Sequence, residues 1–112
     1  MEQLFEIRHY LTRAGKDVFD EWLTRLGDPR TQAKIAARIN RLMAGNFGDC
    51  KPLRGSVWEL RIDWGPGYRV YYARIGRGCL LVLCGGDKRE QAADIQGALR
   101  CLEDYRERIR IT

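Results

Sequence analysis

A chain of 112 residues fits one domain and leaves no room for two. With 45% apolar and 31% charged residues it has the make-up of a water-soluble fold; no apolar run approaches the ~20 residues that cross a bilayer, and the Met1–Glu6 start lacks a signal-peptide pattern, so no membrane partner is expected and the cytoplasm is the expected compartment. The net charge of +5 is local, because eight basic residues face three acidic ones between Lys51 and Arg89 while the rest balances, which is the footprint of a nucleic-acid binder set against plain solubility charge.

Leu4 to Tyr10 alternates, with Phe5 and Ile7 opposed to Glu6 and Arg8, and reads as a first strand. Val18, Phe19, Trp22, Leu23 and Leu26 recur at helical spacing and predict a helix over Lys16 to Leu26, stopped by Gly27. Asp28-Pro29 restarts the chain as an N-cap followed by a first helical residue. Ile35, Ala36, Ile39, Leu42 and Met43 mark the inner stripe of this second helix, which ends near Gly45 and should form an antiparallel hairpin with the first.

Asn46 to Gly55 reads as a loop, broken by Gly48, Pro52 and Gly55. Val57 to Trp64 follows as a strand with Trp58, Leu60, Ile62 and Trp64 on one face and Glu59, Arg61 and Asp63 on the other. Gly65-Pro66-Gly67 turns into a strand over Tyr68 to Ile75, and Gly76-Arg77-Gly78 into another over Cys79 to Cys84, apolar throughout and so expected to be covered on both faces. Asp87 with Glu90 starts a last helix, Lys88 to Arg108, with Ala92, Ile95, Leu99 and Leu102 inward. The order β-α-α-β-β-β-α predicts an α+β domain over 1–112: an antiparallel meander in a small twisted sheet, with a helical hairpin and a C-terminal helix. Cys50, Cys79, Cys84 and Cys101 are widely spaced without a C-x-x-C pair, so neither a disulfide framework nor a zinc site is expected.

Three segments carry a family resemblance: KPLRGSVWELRI from Lys51 to Ile62, GYRVYY from Gly67 to Tyr72, and LCGGDK from Leu83 to Lys88 followed by Gln91, Asp94 and Ile95. With the element order, they make nearly the whole chain similar to the RelE/ParE toxin superfamily, in its HigB-like addiction-module killer branch. The resemblance implies a RelE-like fold and a type II toxin held inactive by a helix-turn-helix antitoxin of HigA type. It also implies cleavage of mRNA on the ribosome without a metal or other cofactor.

Metal-free RNA cleavage sets the 2′-hydroxyl against the adjacent phosphate; a proton must be removed, charge on phosphorus stabilised and the 5′-oxygen protonated. Arg61 lies opposite the apolar face of its strand and aligns with the strand arginine that RelE-type nucleases use at the scissile phosphate; the alternative is a salt bridge with Glu59 or Asp63. Arg69, across the hairpin, either completes an anion site with Arg61 or pairs with Asp63. Lys88 is a phosphate clamp or proton donor at a helix N-terminus beside Gly85-Gly86, unless the segment is a plain turn capped by Asp87. Glu59 is the nearest carboxylate for the base, since arginine stays protonated. Lys51 and Arg54 carry over from the resemblance as RNA-binding residues, Arg89 joins them, and Tyr71 or Tyr72 could stack on a base. His9 is a strand residue or a catalytic one, and Trp22 and Trp58 are expected in the core. A gyrase-poisoning toxin of the ParE kind and an inert regulatory relic are the competing readings, since fold alone does not fix function.

Overall fold

In the computed structural model, which describes residues 4–111, the chain starts as strand β1 (Glu6–His9) and passes through a Leu11–Asp17 bridge into helix α1 (Val18–Arg25). Asp17 caps α1 by accepting the Asp20 amide, and Asp28 accepts the Arg30 amide at helix α2 (Pro29–Met43), whose first residue has no N–H to satisfy. Strands β2 (Cys50–Pro52), β3 (Val57–Ile62), β4 (Tyr68–Arg74) and β5 (Cys79–Asp87) lead through a 3-10 turn (Lys88–Glu90) into helix α3 (Gln91–Ile111). This is the mixed α+β architecture that the periodicities predict.

The sheet order is β1-β5-β4-β3-β2. Strands β2 to β5 pair antiparallel, and β1 joins β5 in parallel, from Glu6 opposite Cys79 to His9 opposite Val82. One face carries Leu60, Ile62, Val70, Tyr72, Leu80 and Val82 against Phe19 of α1 and Ile35, Ile39 and Leu42 of α2. The other packs Val57, Tyr71, Leu81 and Leu83 against Ala98 and Leu102 of α3. Strand β5 is buried from Cys79 to Cys84 because helices lie on both of its faces. Rather than resting chiefly on each other, α1 lies against β5 and α2 against β3, with Gln32 Nε2 donating to the Leu23 carbonyl between them.

Several local expectations change. Strand β2 forms inside the stretch read as a loop; it is three residues long, too short to show a period, and Pro52 is tolerated because β2 is an edge strand. Strand β5 runs on through Gly85 and Gly86, where the sequence pattern suggested a break. Both glycines are needed there: a Cβ on Gly85 would lie 2.4 Å from the Trp22 ring, and one on Gly86 2.0 Å from the Asp94 carboxylate. Pairing jumps from Tyr71–Cys84 to Tyr72–Val82, so Leu83 is the extra residue of a bulge and both Leu83 and Cys84 enter the α3-side core. Trp58 points to the helical face as alternation requires, but it borders the Phe47–Cys50 loop and remains 38% exposed. In α3 the buried stripe runs through Ala98 and Leu102, and Ala92 faces solvent.

The far half of α3 is fastened to the end of β1. Buried Tyr10 donates its hydroxyl to Asp104 Oδ2 at 2.6 Å, and Arg13 and Arg108 reach the same carboxylate at 3.0 Å. Burial, helped by this hydrogen bond, pushes the Tyr10 phenol up to about 12. An unfolded tyrosine ionises near ~10. Between these values the unfolded chain loses a proton that the folded chain keeps, so stability present below pH ~10 declines toward about 12. Tyr10→Phe should therefore cost about 1 kcal/mol at neutral pH and flatten that alkaline decline, as read by urea denaturation at a series of pH values.

Candidate active site

Strand register assembles the basic residues. Lys51, Glu59, Tyr71 and Cys84 stand opposite one another across β2 to β5, and the neighbouring row holds Arg61, Arg69 and Gly86. Both rows lie on the α3 side of the sheet. Strand pairing between β2 and β3 ends at Cys50–Leu60, and one further backbone bond, from the Arg61 amide to the Asp49 carbonyl at 2.9 Å, holds the preceding loop beside Arg61. The Arg61 side chain, 40% exposed, thus sits at a corner between the two faces.

Glu59 is the centre of the cluster. It is fully buried, not open to solvent as alternation suggests, because the start of α3 lies over it. Gln91 Nε2 donates to its Oε2 at 2.9 Å, while Oε1 lies 3.5 Å from Arg69 Nε and 3.8 Å from Arg61 Nε. Arg61 Nη2 also reaches Asp49 Oδ1 at 3.2 Å. A buried carboxylate alone costs several kcal/mol, and two adjacent guanidinium groups repel; each problem is the other's remedy. Arg69 therefore pairs with Glu59, and Asp63 is partner to neither arginine among the described residues. Glu59 Oε1, Arg61 Nε, Arg69 Nη1 and Tyr71 Oη are buried without a hydrogen-bond partner in the protein. Such a concentration of unmet hydrogen-bonding capacity marks a place built for something other than stability.

Two acids at the edge of this cluster carry shifts. Burial, then the charges of Glu59 and Asp94, push the Tyr71 phenol up. Burial, then Glu90 and Asp87, push Asp94 up; its carboxyl lies against Gly86, the strand partner of Arg69.

The other predicted residues divide. Lys88 is exposed and runs beside the β3–β4 turn, its Cδ 3.8 Å from where a Gly67 Cβ would stand, two residues beyond Gly86. It begins a three-residue 3-10 turn and not the long helix, so the expected helix-terminus anion site is not there. Asp87 does cap this turn, accepting the Arg89 amide. Arg54 borders Ala92 and Gln96 of α3, near Gln91. Arg89 is turned away: Asp87 holds it at 2.8 Å, and it lines a groove between α1 and α3 with Trp22 and Arg25. Tyr71 and Tyr72 are both buried, so neither ring is presented for stacking on a base. His9 Nδ1 donates to Asp17 Oδ2 at 2.7 Å and the ring meets Phe19 edge-on, on the opposite margin of the sheet. All four cysteines are free thiols. No helix among the described residues is long and apolar enough to cross a membrane.

Sequence reasoning missed Asp49, which lay in a stretch read as a loop, and gave Gln91 a place in the family motif but no role in the site, because only the start of α3 brings it to Glu59.

Residues 21–102 match the family model described as phage derived protein Gp49-like (DUF891), a span that includes every residue of the cluster. A relative from Haemophilus influenzae, described as an uncharacterized protein, is 51% identical over 80 residues, covering 71% of this chain and 81% of its own length.

Glu59→Gln should destabilise the fold by about 2–3 kcal/mol, below the ~3–5 of a fully buried broken pair because Arg61 keeps contact with water. Adding Arg69→Met should recover part of the loss, giving a coupling of at least ~1 kcal/mol in a double-mutant cycle followed by urea denaturation. Strictly additive losses would show that Glu59 and Arg69 do not depend on each other.

Proposed function

The chain belongs to the Gp49-like family of phage-derived proteins, a family of RelE-like addiction-module toxin type, and on that footing we propose that it is the toxin of a type II pair that cleaves mRNA on the ribosome without a metal. Its neutralising partner in this reading is a helix-turn-helix antitoxin of HigA type. The observation that supports nuclease chemistry most is the pairing of Arg61 with Arg69 across adjacent strands, around one buried carboxylate, at an accessible corner of the sheet.

In the proposed reaction the ribose 2′-oxygen forms a bond to phosphorus while the bond from phosphorus to the 5′-oxygen breaks, leaving a cyclic phosphate and a 5′-hydroxyl. Arg61 and Arg69 bind the non-bridging oxygens, where charge grows; loss of one such donor typically costs 10²–10³ in kcat. As they turn to phosphate, the guanidinium groups loosen from Glu59, whose carboxylate then accepts the 2′ proton directly or through water. Lys88, at the rim, clamps the phosphate or protonates the leaving oxygen. Lys51 and Arg54 hold the flanking RNA, as phosphate contacts that position a strand rather than read it. Arg89 stays outside this set while Asp87 retains it.

Expression of the chain without an antitoxin, followed by mapping of message 5′ ends, tests this reading. Codon-phased cleavage is expected. Arrest with intact messages and damaged DNA would replace it with a gyrase poison, and absence of arrest with an inert relic. Arg61→Ala should abolish killing and cleavage while leaving the circular dichroism spectrum unchanged; killing that persists would remove Arg61 from the site.

A further inference from the structure

Helix α2 carries four basic residues, Arg30, Lys34, Arg38 and Arg41, and no acidic one. Their spacing puts them in a single stripe beside the buried stripe of Thr31, Ile35, Ile39 and Leu42. Among the described residues none of the four is ion-paired to a carboxylate; of the other basic residues seven are paired (Arg8, Arg13, Lys16, Arg61, Arg69, Arg89 and Arg108), and the unpaired rest do not share one helix face as these four do. The stripe forms one wall of a groove of about 810 Å³, which Asp49, Arg61, Asp63 and Trp64 also line.

Two of these cations are held by neutral groups. Arg38 Nη2 donates to the Phe47 carbonyl at 3.4 Å and lies against Gly48, where a Cβ would come within 2.7 Å of it. Lys34 Nζ sits 4.8 Å from the centre of the Trp64 ring, and that ring is fixed by donation from its Nε1 to Thr31 Oγ1 at 3.1 Å. A carbonyl and an aromatic face position a cation without cancelling its charge. Like charges stacked along one helix face destabilise it, a cost set here against the Arg38 hydrogen bond and the Lys34–Trp64 contact. From Arg30 to Arg41 the stripe spans roughly 16 Å at the α-helical rise, the length of about five phosphates at the ~3.4 Å spacing of a stacked strand.

We propose that this groove binds the phosphate backbone of single-stranded RNA and leads the strand to Arg61, an inference that rests on the nuclease reading for the fate of the strand but not for its binding. Arg61 belongs to both places: it lines the groove and flanks Glu59. An RNA lying along α2 would therefore deliver a phosphate to the paired arginines around the sheet edge.

The test uses the full chain, fluorescein-labelled oligouridylate and a polyglutamate peptide as the acidic-protein control. The variant Arg30→Gln/Lys34→Gln/Arg41→Gln alters only exposed side chains with good helix propensity, and a single cooperative thermal transition with an unchanged circular dichroism spectrum verifies its fold. Oligouridylate affinity should fall at least tenfold, and the slope of log affinity against log salt should shrink by about 2, three contacts at ~0.7 each. Unchanged affinity and slope would overturn the proposal. So would a groove-dependent preference for polyglutamate over RNA, which would assign the groove to an acidic protein. Groove-dependent RNA binding with uncut messages in cells would sink the nuclease reading and leave the groove standing. Codon-phased cleavage by a triple variant with wild-type RNA affinity would do the reverse.

Discussion

A carboxylate sealed beneath two guanidinium groups is the constraint around which this end of the molecule is arranged. Glu59 stands in the middle of a strand, at a position where α3 and the sheet exclude water. It is tolerable there only because Arg61, Arg69 and Gln91 converge on it. That convergence fixes three things at once: the register of β3 against β4, the point at which α3 begins, and the direction of two cations that would otherwise separate. Other buried polar atoms in the cluster are left unmatched, so the arrangement serves positioning more than stability.

The sheet edge gives this cluster its access. The chain before β2 stays beside Arg61 only through Asp49, whose carbonyl accepts the Arg61 amide. The Arg61 side chain meets Glu59 on one face and the Asp49 margin of the α2 groove on the other. Two basic regions that belong to opposite layers thus share one residue. The layers themselves are ordinary in construction, with helices on both sides of a twisted sheet.

Much of this was legible in the sequence. Asp28-Pro29, the alternation of Val57 to Ile62 and the apolar run of β5 gave the main elements, and the Gly65–Gly67 turn gave the hairpin that holds Arg61 and Arg69, leaving Arg61 or Asp63 as the neighbour of Arg69 until the register was seen. What stayed hidden depends on distant segments. Alternation told that Glu59 left one apolar face but not that α3 would bury it on the other. Gly85 and Gly86 look like a turn until Trp22 and Asp94 are seen pressing on them. Trp58 looks like core, yet only a loop flanks it. The charge of α2 escaped notice because it was summed with all residues outside Lys51 to Arg89, whose acids cancel it; the cancellation is arithmetic and not spatial.

The parallel seam between β1 and β5 has a consequence for how the molecule comes into being. The strand made first can take its place only after the strand made nearly last has left the ribosome, since Glu6 through His9 have no other strand to pair with. Contacts that far apart in the chain are slow to form and demand a large loss of loop entropy. An emerging polypeptide therefore carries α1, α2 and most of its basic residues well before the sheet holds them in working order. The sheet that carries both basic regions is complete only once β5 has been made.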